Sequence, residues 1–174
     1  MGGIRATKVT NFSDKSKDLS HFRFMAHLQI SQLISAPRLE VFDFLTDPNN
    51  LPSLLRPAVS VQVVSPDVAL KRGNEVHFMM SRFGLSQSIR FRIEDILRGS
   101  RLSYRQSEGV FASWNHTIKF DEHGENGTLV TDLVDYQVPM GLIGHLADDL
   151  ILKRDMTRLL AQRLVRANHY FGND

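Results

Sequence analysis

The sequence predicts an α+β domain: a seven-stranded, antiparallel, curved sheet around a long C-terminal helix, with two short helices after the first strand. Three observations carry this reading. Six segments between residues 59 and 138 alternate apolar and polar side chains and are separated by turn signals such as KRGN, RGS and DEHGENG. A proline-bounded stretch before them, SAPRLEVFDFLTDPNNLPSLLRP, has helical rather than alternating spacing. The segment from Met140 to Phe171 has no proline and repeats its apolar residues at helical intervals.

Taken in order, the first 20 residues are polar and charged and are read as a loose arm, leaving 21–174 as one domain. A chain of 174 residues can bury one sizeable core and is short for two. The first strand starts within HFRFMAHLQIS. Ser35 is placed as N-cap of the first helix, Pro37 in its first turn, and Val41, Phe42 and Leu45 form its apolar stripe. Pro48 stops that helix, and Leu51, Leu54 and Leu55 mark a second one that ends before Pro57.

The period then changes to two. Inward faces are assigned to Val59, Val61 and Val63, then Val76, Phe78 and Met80. Next come Ile89, Phe91 and Ile93, opposed by Arg90, Arg92 and Glu94, and then Leu102 and Tyr104. SWNHTIKF and TLVTDLVDYQV complete the sheet. In the last segment Ile143, Leu146, Leu150, Leu160 and Leu164 share a stripe that Leu152, Met156 and Leu159 widen. A helix of that length must lie on the sheet, and a cavity opens wherever it stands off.

Composition narrows the function classes. Hydrophobic residues make up 42%, and 21 basic against 19 acidic residues leave a net charge of +2. There is no Lys/Arg run, zinc knuckle or RNP-like motif, so no nucleic-acid partner is predicted. The absence of cysteine excludes disulfides, thiolate metal sites and cysteine nucleophiles. The start of the chain lacks a signal-peptide core, and no apolar run reaches the ~18 residues of a membrane span. A cytoplasmic protein, not integral to a membrane, is therefore expected. Seven histidines show no ligand spacing such as HExxH, so no metal is expected. Without GxSxG, GxGxxG or a P-loop, neither a serine hydrolase nor a nucleotide cofactor is called for, and no cofactor is predicted.

The stretch ISAPRLEVFDFLTDPNNLPSL resembles the opening of helix-grip proteins of the START/polyketide-cyclase/Bet-v-1-like (SRPBCC) superfamily. WNHTIKF, followed by GTLVTDLVDYQVPMGLIGHLADDLILKRDMTRLL, is similar to one bacterial branch with a Trp-x-His strand and a Thr-Asp-x-Val-x-Tyr-x-x-Pro strand. The resemblance spans roughly residues 24–171. It implies a helix-grip fold whose cavity, between sheet and C-terminal helix, takes a hydrophobic, lipid- or polyketide-like molecule. The lining residues expected are Phe78, Met80, Ile89, Phe91, Ile93, Tyr104, Trp114, His116, Ile118, Val134, Tyr136, Leu146 and Leu150. Branch members often carry an aromatic near the position of Ile89, so this part of the pocket departs from them.

Two residues break the apolar faces of the last two strands: His116, between Trp114 and Ile118, and Asp132, between Val130 and Val134. With the DEHGENG loop centred on Gly124, Phe120 opposes Thr128 and His116 opposes Asp132, with Cβ atoms ~5 Å apart. A slip of two residues makes the pair diagonal at roughly 7–8 Å, within reach of one bridging water. Asp132 on one ring nitrogen would fix the tautomer and leave the other nitrogen to a ligand, with Tyr136 further along the wall. Three roles stay open: a structural pair, a ligand anchor, and acid–base catalysis by His116, Asp132 and Tyr136 in a cyclase or dehydratase. The chain is read as binding or transporting its ligand in preference to turning it over. A protein partner on the helix surface, through Arg154, Arg158, Arg163 and Arg166, is the third possibility.

Overall fold

The computed structural model describes residues 25–139 and 149–172. Strand β1 (Met25–Ile34) is followed by α1 (Arg38–Thr46), a single 3-10 turn and α2 (Leu51–Leu55). Then come β2 (Ser60–Val63), β3 (Glu75–Arg82), β4 (Leu85–Leu97), β5 (Arg101–Glu108), β6 (Ser113–Glu122) and β7 (Thr128–Gln137). Helix α3 (Asp149–Phe171) closes the chain. The seven strands form one antiparallel sheet in the order β1-β7-β6-β5-β4-β3-β2. This is the α+β helix-grip arrangement that the sequence predicts.

Strands β2 to β7 form a meander, whereas β1 crosses over to pair with β7. The two short helices between β1 and β2 make that crossing, with α1 packed on β6 and α2 on α3. Tight turns hold the meander. Phe83 and Gly84 both have positive φ, at 53° and 79°, as a two-residue hairpin between Arg82 and Leu85 requires. One capping expectation is corrected. Pro37 occupies the N-cap of α1, and the Ser35 backbone N–H instead donates to Asn168 Oδ1, tying the start of α1 to α3.

Apolar packing divides into two clusters. The larger joins β1, α1, Leu54 of α2, β6, β7 and α3 from Met156 onward, where Leu164 and Ala167 are fully buried. The smaller joins Leu55, Val59 and Val61 to Val76, Phe78, Ile93 and Leu102 of β3–β5. Residues 21–24, 140–148, Ile143 and Leu146 lie outside the described residues, and so does the 1–20 arm; Leu150 lies in α3 but its side chain is not described.

Candidate functional site

Leu164 and Ala167 of α3 are fully buried, while Leu152, Met156, Leu159 and Leu160 earlier in the helix border open space. A cavity of about 330 Å³ results. Its walls are Leu152, Met156, Leu159 and Leu160 of α3, Leu51 and Leu55 of α2, and Met80, Ile89, Phe91, Tyr104 and Trp114 of the sheet. Phe111 and Val110 close the β5–β6 side. Polar side chains are few: Arg82, Gln87 and Gln106 on the sheet, and a cluster formed by Tyr104, His116 and Arg163.

With Asp132 behind it, that cluster forms a hydrogen-bonded chain of four residues from four elements. In the observed β6–β7 register, Phe120 opposes Val130, Ile118 opposes Asp132 and His116 opposes Val134. This is two residues from the register expected. Asp121 and Glu122 continue β6, and a five-residue loop closes it with a His123 N–H bond to the Gly127 carbonyl. His116 and Asp132 are thus diagonal neighbours, yet they meet directly, with Nε2 3.0 Å from Oδ1. Tyr104 opposes His116 on β5, and its hydroxyl lies 2.6 Å from Nδ1. From α3, Arg163 Nη2 donates to both Asp132 oxygens at 2.8 and 2.9 Å.

The protonation states follow from charge balance. His116, Asp132 and Arg163 are buried, at 2%, 0% and 3% exposure. Burial pushes the Asp132 carboxyl up, but the charge of Arg163, with His116, outweighs it and holds the pKa below its usual value. For Arg163, burial works against the cation and Asp132 more than restores it. Burial also lowers the His116 pKa, against the pull of Asp132. Tyr104 is raised, first by burial. The stable state is therefore an ion pair, Asp132–Arg163, beside a neutral imidazole. Asp132 can only accept, so His116 carries its proton on Nε2 and Nδ1 accepts from Tyr104.

Several assignments from the sequence change here. The Nδ1 expected to be free for a ligand is taken by Tyr104. Val134 and Tyr136 do not line the cavity; both are 0% exposed, with Tyr136 packed against Phe111 and Trp114. Phe78, Ile93 and Ile118 border a separate hollow of about 60 Å³ behind Tyr104. Met80, Ile89, Phe91, Tyr104, Trp114 and His116 do line the main cavity. Arg163 is not a surface contact but a buried partner of Asp132, and Arg166 donates to the Leu54 carbonyl at 3.1 Å. The signal for Arg163 was present: it falls at helical spacing from Met156, Leu160 and Ala167, on the buried stripe.

Among the described residues, no group of three or more acidic or histidine side chains is placed to hold a metal, and no helix is long and apolar enough to cross a membrane.

Comparison with known proteins agrees with this architecture. The sequence profile of the family described as "Polyketide cyclase / dehydrase and lipid transport" matches residues 25–171. No curated protein matches the chain. A solved structure from Thermus thermophilus is similar at a TM-score of 0.63 and 22% identity, over 83% of this chain and 95% of that one. A protein from Chromobacterium violaceum gives a TM-score of 0.63 at 18% identity, over 85% and 99%. The di-domain ARO/CYC StfQ from the steffimycin biosynthetic pathway gives 0.66 at 14% identity, over 85% of this chain and 51% of StfQ. At these identities the likeness is one of fold.

Proposed function

Since the chain belongs to the polyketide cyclase/dehydrase and lipid transport family, we propose that it binds or carries a hydrophobic small molecule between its sheet and α3. The observation that carries this reading is the 330 Å³ cavity, apolar on nearly every wall and polar at the Tyr104–His116–Arg163 patch. That combination suits a ligand buried for its area and oriented by one polar end. The test is a fluorescence titration with the uncharged apolar dye N-phenylnaphthylamine. Saturable binding is expected, weakened more than about tenfold by Ile89→Trp, which fills the cavity. Absence of saturable binding, or indifference to Ile89→Trp, would sink the reading.

A second reading is a cyclase or dehydratase working through His116 and Asp132, favoured by the His116 ring on the cavity wall and the likeness of fold to StfQ. Against it, both ring nitrogens of His116 are engaged, Nε2 by Asp132 and Nδ1 by Tyr104, so neither is open to a substrate. Turnover of a poly-β-keto substrate that His116→Ala abolishes would select the enzyme.

A further inference from the structure

We propose that the molecule held in the cavity carries a hydroxyl group, phenolic or alcoholic, whose proton is donated to the phenolic oxygen of Tyr104. The inference rests on the cavity being a ligand site and adds the chemistry of the ligand's polar end.

The argument is one of direction. Arg163 is a donor at every nitrogen, and its Nη2 serves both oxygens of Asp132. Asp132 is an acceptor at both oxygens, so the bond at 3.0 Å must use a proton on His116 Nε2. A second proton on that ring would leave a net positive charge among three buried groups, because Arg163 already balances Asp132. Nδ1 is therefore a lone pair, and the Tyr104 hydroxyl spends its single proton on it at 2.6 Å. The two protons that run from Tyr104 through His116 both point away from the cavity toward Asp132. What Tyr104 has left for the cavity it lines is acceptor capacity only.

Two further N–H groups belong to side chains of the same wall. Trp114 Nε1 and Arg163 Nε are buried N–H groups with no hydrogen-bond partner among the described residues, and both side chains line the cavity. A carbonyl or ether can serve such donors but offers nothing to Tyr104. A hydroxyl gives its proton to Tyr104 and keeps lone pairs for an N–H. Leaving a buried acceptor without a donor is unfavourable, so ligands lacking the hydroxyl are discriminated against.

The experiment compares naphthalene, naphthol, methoxynaphthalene and acetonaphthone, substituted at one ring position, as competitors of N-phenylnaphthylamine. Naphthol is expected to bind about fivefold tighter than the other three to the native protein, the scale of one neutral hydrogen bond. Tyr104→Phe should abolish that preference while the dye still binds. If the ether or ketone binds as tightly as naphthol, or Tyr104→Phe leaves the preference intact, the hydroxyl inference is wrong and the cavity reading stands. If the dye and all four compounds fail to bind, both fall. Should Tyr104→Phe not fold, nitrogen-15 NMR of His116 in the native protein decides instead. Nε2 protonated and Nδ1 bare near neutral pH is expected, and a proton on Nδ1 there overturns the proposal.

Discussion

Arg163 on α3 and Asp132 on β7 form a buried ion pair in which one guanidinium nitrogen contacts both carboxylate oxygens, at 2.8 and 2.9 Å. The pair joins the helix to the sheet at the base of the cavity, and through His116 it sets the direction of the hydrogen bonds that reach Tyr104.

Removing one partner strands the other charge. Arg163→Met is expected to destabilise the fold by about 3–5 kcal/mol, because Asp132 keeps its burial and loses its counter-charge. The double variant Asp132→Asn/Arg163→Met should recover much of that loss. Urea unfolding of the three proteins is the check; a double variant no better than Arg163→Met would mean the two residues act independently.

Stability should fall on both sides of a neutral plateau. His116 has a folded pKa below its usual 6.5, so as pH drops below about 6.5 the unfolded chain takes up a proton that the folded one refuses, and stability is lost. Asp132, lowered from 3.8, adds a further loss in more acid solution with the same sign. Tyr104 is raised above 10.0, so above that pH the unfolded chain releases a proton that the folded one keeps, and stability falls again. Thermal melts of native protein and His116→Gln across pH should differ in the step that starts near 6.5, which the variant lacks.

Core and cavity positions on the same sheet face should respond differently to truncation. Phe120 is 1% exposed in the packed core, and Phe120→Ala is expected to cost about 3–5 kcal/mol. Met80 borders the cavity, where a shortened side chain adds to space already present, so Met80→Ala should cost about 1 kcal/mol or less. Equal losses in denaturant titrations would contradict the placement of the cavity.

At the cavity rim, Arg82 at the end of β3 grips Asp155 of α3 with both terminal nitrogens, one contact being 2.7 Å. The pair is partly exposed, so Arg82→Ala should change stability by less than about 1 kcal/mol. It should nonetheless speed dye entry and exit severalfold in stopped-flow measurements, since Arg82 lines the cavity and ties the hairpin to the helix. Unchanged rates would show that this link does not limit access.

Much of this was legible in the residues. The alternation in β2–β7 placed Val61, Phe78, Ile93, Leu102 and Ile118 inward, and it exposed His116 and Asp132 as the two exceptions on buried faces. The β6–β7 register was not legible, because DEHGENG has glycines at 124 and 127 and turns equally well about residue 125, one position later, which moves the pairing by two residues; Gly124, at φ 69°, turns within the observed loop. The partnership of Tyr104 with His116 depended on the β5–β6 register, again set by a loop.

By itself, then, the sequence determined which side of each element is apolar, the order of those elements, and which inward residues are chemically out of place. Periodicity acts within one helix or strand, where covalent geometry repeats, and so it can be read from the chain alone. Only the tertiary structure decided that Arg163 neutralises Asp132, that Tyr104 occupies the nitrogen of His116, and that Tyr136 belongs to the core while Tyr104 faces the cavity. Those are contacts between elements far apart in sequence. They depend on loop closure and on where α3 leaves the curved sheet, which no single segment encodes.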